Sequence, residues 1–221
     1  LAKVRAEYKK PATDARSRQF AVALFLIERC CIRVGNKKDE ASQANTVGCC
    51  TLLAHTHVWV ASEPDRRVSV AFVGKDSIKY ENTVALPGEL FAIAVELLNA
   101  RKVGDVLFDA LNPGIVNRLL HERIMPGATA KTFRTMRASM LFETVLHKSG
   151  DVKRANADVA ALLNHKTHKG DKPNLQTSRN NYIDPRIYFA YRATSHNGTK
   201  GWFENHAHWA GNTPSSFKFK K

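Results

Sequence analysis

No run of about 18 apolar residues occurs in this chain, so no bilayer-crossing helix is expected from it. No secretory leader pattern opens it. Cysteine is scarce: four in 221 residues, as two adjacent pairs, Cys30-Cys31 and Cys49-Cys50. Neighbouring cysteines bridge each other only with strain, and neither pair has the two-residue gap of a zinc knuckle. His55 and His57 follow the second pair, which keeps a metal site conceivable, but adjacent cysteines are poorly placed to share one tetrahedral ion. Reduced, half-buried thiols in an intracellular protein are the better expectation. No carboxylate cluster suited to Mg²⁺ stands out, and there is no internal repeat or low-complexity tract. Neither a metal nor a cofactor is expected.

Acidic residues are in deficit. Lys and Arg number 34 against 20 Asp and Glu, a net charge of +14. That balance predicts attraction to a polyanion, foremost nucleic acid, through phosphate neutralisation and counterion release. A hydrophobic content of 43% suffices for one large domain or a domain plus a tail. The first residue, Leu1, sits inside a basic, helix-like stretch, so the chain reads as a fragment or excised domain, with targeting information expected elsewhere.

Periodicity places the elements. Residues 14–34 read as one helix, with Phe20, Ala23, Leu24, Ile27 and Cys31 at three- and four-residue steps, Arg33 in its last turn and Gly35 as its stop. Residues 57–61 and 68–73 alternate and are β-branched, with a turn at Glu63-Pro64-Asp65; a third strand covers 77–84. Lys75 thereby falls at the tip of a tight turn. Helices are expected over 89–101, 112–125, 129–146 and 152–165. Asp184-Pro185 resembles an N-cap followed by a first-turn proline, which puts Tyr182 just ahead of a further helix or on a short preceding one. Trp202, Phe203 and Trp209 suggest a final docked element. The class is α+β, mainly helical, with a small antiparallel sheet in the N-terminal half.

Five residues stand out: Arg33, Lys75, Arg134, His165 and Tyr182. Singly, each has an ordinary explanation. Arg33 could complement a helix dipole, Lys75 could simply solubilise a turn, and His165 could cap a helix. A free tyrosine ionises near pH 10 and is a poor nucleophile unless cations stabilise its phenolate, so Tyr182 could equally be a core ring.

The words around them carry more. They run Ile32-Arg33-Val34-Gly35-Asn36-Lys37-Lys38-Asp39-Glu40, Ala44-Asn45-Thr46-Val47-Gly48-Cys49-Cys50, Phe72-Val73-Gly74-Lys75-Asp76-Ser77-Ile78, Ala130-Lys131-Thr132-Phe133-Arg134-Thr135, Arg154-Ala155-Asn156, Leu163-Asn164-His165 and Asn181-Tyr182-Ile183-Asp184-Pro185-Arg186-Ile187. In this order they resemble the catalytic domain of a eukaryotic-type DNA topoisomerase IB, from about Tyr8 to the last lysine. The resemblance implies a DNA breaking-rejoining fold and an Arg33–Lys75–Arg134–His165 constellation serving Tyr182 as nucleophile. It implies transient single-strand cleavage through a 3′-phosphotyrosine, with supercoil relaxation independent of ATP and metal. Asp76 and Asn181 would sit beside the DNA or the nucleophile. Lys37, Lys38, Lys79, Lys131, Arg137, Lys153, Arg154, Lys166 and Lys169 are expected, as a group, to contact phosphates. Double-stranded DNA is the expected partner, a monomer the expected state, and the nucleus or another DNA-containing compartment the expected location.

On this reading residues 1–165 form the catalytic core, 166–177 a short linker and 178–221 a C-terminal segment carrying the nucleophile. Two departures from the family's pattern stand out. Its long helical linker shrinks here to residues 166–181, and its N-terminal cap region is missing from this chain. Two rival readings remain. A tyrosine recombinase or integrase-like strand transferase shares the chemistry, but usually carries a histidine where Lys131 stands. A non-catalytic DNA-binding module of the same fold would be expected to have lost at least one of the five residues.

Overall fold

The structure, a computed structural model, describes residues 2–10, 14–35, 47–61, 65–74, 78–167 and 172–194. Two compact units divide the chain, Leu1–Arg134 and Thr135–Lys221. Among the described residues it is mainly helical, with one three-stranded antiparallel sheet in the N-terminal half. None of these helices is long and apolar enough to cross a membrane.

The first unit is built on α2 (Ala15–Cys30), opened by Asp14, whose carboxylate accepts from the Ser17 N–H. Every residue from Gln19 to Glu28 is buried, well beyond the stripe that its periodicity predicts. The reason is tertiary: α1 (Ala2–Tyr8), α3 (Gly88–Asn99), a 3₁₀ turn at Cys49–Thr51 and one strand all pack around it. Polar groups in this wall are matched. Glu28 accepts from the Tyr8 hydroxyl at 3.0 Å, and Gln19 bridges to Asp109 and the Ala110 N–H at 2.6 and 2.9 Å.

The helix stops earlier than expected. It ends at Cys30, and Cys31 takes the left-handed conformation with φ 52°, so Arg33 lies beyond the helix rather than in its last turn. Strands β1 (Val58–Val60), β2 (Arg67–Val73) and β3 (Lys79–Ala85) then form the sheet in the order β1-β2-β3, with Val58 opposite Val70 and Val73 opposite Lys79. Val58, Val68, Val70 and Tyr80 are buried, as alternation requires. Where one helix was expected over 112–125, α4 (Pro113–Leu119) gives way to a π-helical turn, Leu120–Ile124. Asn112 caps α4 by accepting from the Ile115 N–H.

Gly35, with φ 79°, and Gly48 touch backbone to backbone. A Cβ on Gly48 would lie 2.5 Å from the Gly35 Cα and 2.8 Å from the Arg33 carbonyl oxygen, against rigid main chain. Gly48→Ala should therefore cost about 1–3 kcal/mol, the usual penalty of overpacking, and lower the melting midpoint. An unchanged midpoint would mean that the two segments separate freely.

Helix α5 (Ala130–Ser149) begins in the first unit and ends in the second. The second unit continues with α6 (Val152–Leu162), α7 (Leu175–Asn181) and α8 (Pro185–Thr194) around Phe142, Leu146, Val159, Ile183 and Tyr188. Helix α6 stops three residues short of the expected end because Asn164 turns left-handed, at φ 53°. Helix α7 begins inside the stretch read as linker, capped by Asn174. The aromatic tail with Trp202, Phe203 and Trp209 lies outside the described residues.

Candidate active site

In the first unit, what places Arg33 is the way α2 ends. A helix leaves its last carbonyls without internal partners, and here side chains from elsewhere take them. The Tyr80 hydroxyl donates to the Cys30 carbonyl at 2.7 Å, and Arg134 Nη1 donates to the Cys31 carbonyl. Beyond that turn the Arg33 and Val34 carbonyls accept from the Cys49 and Cys50 N–H groups, both at 2.8 Å. The Gly35–Gly48 contact lets these two segments run so close. Arg33 emerges exposed from a fixed backbone, while Arg134 is only 4% exposed, its guanidinium moored two residues upstream in the same segment. The structure thus joins the two arginine-bearing stretches through a hydrogen bond between residues 103 positions apart in sequence.

The hairpin that carries Lys75 is closed at its base by the Gly74 N–H donating to the Ile78 carbonyl at 2.9 Å. Lys75 and Asp76 themselves lie outside the described residues, as do Lys37, Lys38 and Lys169. Lys79, at the start of β3, is exposed and pairs with Glu81 at 3.3 Å. Lys131, on the first turn of α5, is exposed, as are Lys153 and Arg154 on α6. Arg137 is half-buried. Lys166 is exposed and bridges to Pro173, which closes the short loop between His165 and α7.

In the second unit, His165 and Tyr182 meet. Their ring centroids are 4.9 Å apart, with planes tilted by 49°. His165 is 4% exposed and follows α6 in a tight turn, its N–H on the Ala160 carbonyl and its own carbonyl accepting from the Asn174 N–H, both at 2.8 Å. Its Nδ1 lies 2.9 Å from Ser178 Oγ. Tyr182 is the half-buried cap residue after α7. Its N–H donates to the Ser178 carbonyl at 3.1 Å, and its carbonyl accepts from Ser139 Oγ at 3.3 Å. That same Ser139 oxygen accepts from the Asp184 N–H at 3.0 Å. Asp184 opens α8 by accepting from the Arg186 N–H and grips the Arg186 side chain, whose pKa the pairing raises. Asn181 is exposed, its Nδ2 donating to the Thr177 carbonyl.

Ser139, Ser178 and Tyr80 do not stand out in the sequence. Only Ser178 leaves a trace, being one helical turn before Tyr182.

Burial of the thiols is complete rather than partial. All four cysteines are free and buried, and burial pushes Cys30 and Cys50 up to about 12 and Cys49 well above its ordinary value. His55 Nε2 sits 2.9 Å from the Leu98 carbonyl, and His57 Nδ1 accepts from the Leu53 N–H at 3.1 Å, so both imidazoles are engaged by main chain. Burial lowers the His57 pKa. Among the described residues no group of three or more His, Cys, Asp or Glu could hold a metal ion.

Residues 1–185, which include Arg33, Lys75, Arg134, His165 and Tyr182, match the family described as eukaryotic DNA topoisomerase I, catalytic core. The chain is similar to DNA topoisomerase 1 of Drosophila melanogaster, 39% identical over 195 residues that make up 79% of this chain and 20% of that protein. It is 37% identical over 196 residues to DNA topoisomerase 1 of Homo sapiens, covering 79% of this chain and 25% of that protein. To the mitochondrial DNA topoisomerase I of Rattus norvegicus it is 37% identical over 179 residues, 74% of this chain and 30% of that protein. The chain thus spans under a third of the length of these relatives. A match reaching across most of the sequence assigns it, and this chain belongs to the family of eukaryotic DNA topoisomerase I catalytic cores.

Proposed function

We propose that this chain cuts and reseals one strand of duplex DNA, with Tyr182 as the nucleophile. The Tyr182 oxygen attacks a backbone phosphorus, its proton leaving to solvent, and the bond from phosphorus to the 5′ oxygen breaks. The tyrosine is left joined to the 3′ phosphate, which conserves the bond energy. The freed 5′ hydroxyl rotates about the intact strand and then reverses the step, so supercoils relax without ATP.

The five-coordinate transition state carries extra charge on its non-bridging oxygens. Arg33 and Arg134 suit that charge, being permanently cationic with planar, paired donors. His165 adds a further donor, and preorganised donors of this kind are worth about 2.7–4 kcal/mol each. Lys75 protonates the departing 5′ oxygen, an effect of about 10² to 10⁴ in rate. Apart from the solvent that takes the tyrosine proton, each step uses protein side chains. Duplex DNA is bound through its phosphates by the exposed lysines and arginines, by a monomer, in the nucleus or another compartment that keeps DNA.

What supports the reading most is the pairing of Tyr182 with buried His165, rings 4.9 Å apart, within a stretch that matches the family. A cheap test is a supercoiled plasmid incubated with the chain in EDTA without ATP, alongside a nicked suicide duplex. Stepwise relaxation and a covalent adduct on the 3′ phosphate are expected. Recombinant products, an adduct on the 5′ side, or no adduct at all would each overturn it.

A further inference from the structure

Ser178 holds both halves of the second unit's pair. It is 0% exposed, its side chain faces His165 Nδ1 at 2.9 Å, and its main-chain carbonyl receives the Tyr182 N–H at 3.1 Å. The same carbonyl accepts from the Ile183 N–H at 3.2 Å. A hydroxyl has one proton to give and two lone pairs to offer. The Asn174 carbonyl, 3.3 Å from that hydroxyl, can only accept, and a proton given to it leaves a lone pair turned to His165. In that arrangement the neutral imidazole carries its one N–H on Nδ1, where Ser178 accepts it. Asn174 in turn donates its N–H to the His165 carbonyl at 2.8 Å, closing a ring of bonds through His165, Ser178 and Asn174.

We infer that Ser178 is a positioning residue for strand cleavage: its hydroxyl sets the tautomer and tilt of the His165 ring, and its carbonyl sets the backbone of Tyr182. Histidine and nucleophile are thereby aligned by one buried side chain and one buried carbonyl on α7. With the Nδ1 hydrogen held by Ser178, Nε2 is the nitrogen that takes up the second proton beside DNA, and the imidazolium donates it to a phosphate oxygen. The α7 backbone alone would hold Tyr182 whatever residue stood at 178, so the hydroxyl is the part that the function requires. The inference rests on the strand-cleavage reading for its rate effect, while the tautomer is a property of the free protein.

Two measurements test it. The first is the nitrogen-15 NMR signature of the His165 ring in wild type and in Ser178→Ala, without DNA. Neutral wild type should show the proton on Nδ1, and the alanine variant should shift the balance towards Nε2. The second is single-turnover cleavage of the suicide duplex. Ser178→Ala should slow adduct formation by about 10- to 100-fold, by analogy with losing the partner that orients a metal-bound imidazole, with DNA affinity unchanged. Ser178→Thr, which restores the hydroxyl, should recover most of the rate.

A neutral wild-type ring with its proton on Nε2 overturns the inference even if the variants fail to fold. So does Ser178→Ala cleaving at the wild-type rate. If wild type itself forms no adduct, the strand-cleavage reading falls, and the ring measurement still decides the tautomer.

Discussion

Tyr182→Phe should abolish covalent capture of DNA while leaving non-covalent binding nearly unchanged. The substitution removes one oxygen and keeps the ring, so the 4.9 Å approach to His165 and the hydrogen bonds of the Tyr182 main chain survive. Binding through phosphates depends on charge, which does not change. The sequence contains five tyrosines, and the other four are poor substitutes. Burial, the larger effect, raises the phenol pKa of both Tyr8 and Tyr80, with Glu28 adding to it at Tyr8. Tyr188 is 0% exposed, and Tyr191 packs edge-on against His147 at 6.0 Å. A denaturing gel of the suicide-substrate reaction reads the result, with a filter-binding titration beside it. An adduct persisting in the phenylalanine variant would assign the chemistry to another nucleophile.

Arg134→Ala should slow adduct formation by about 10² to 10³, the size of one preorganised donor lost from a charged transition state. It should also lower stability by about 1–3 kcal/mol, because the guanidinium is buried and donates to the Cys31 carbonyl at the end of α2. The two effects share a cause. The bond that would hold Arg134 for phosphate also holds the turn that leads into Arg33. Arg134→Lys separates charge from shape: an ammonium keeps the charge but lacks the planar fork, so it should recover little of the rate. Single-turnover kinetics and thermal melting, run on both variants, check this. A lysine variant that cleaves like wild type would show that charge alone suffices at this position.

Much of the fold could be read from the chain before any coordinates. The α2 stripe, the alternation of the hairpin strands, and Asp184 ahead of a proline all signal local structure, because local backbone preference and burial agree there. Element ends were less legible. Cys31 adopts a left-handed conformation that its residue type does not announce, Asn164 adopts one that asparagine favours, and both stop a helix several residues early. The burial of α2 on every side also exceeds its pattern, since the neighbours that cover it come from distant parts of the chain.

The candidate site divides along the same line. By its own order of residues the sequence determined the family, the nucleophile to test and the cationic side chains that could serve it, because covalent chemistry is written in residue types. Tertiary structure alone decided that Arg134 is moored to the Cys31 carbonyl, that Gly35 and Gly48 let two backbones touch beneath Arg33, and that Ser178 faces His165. Those relations join residues of unremarkable type, and a hydrogen bond needs a distance and a direction that only the folded chain supplies.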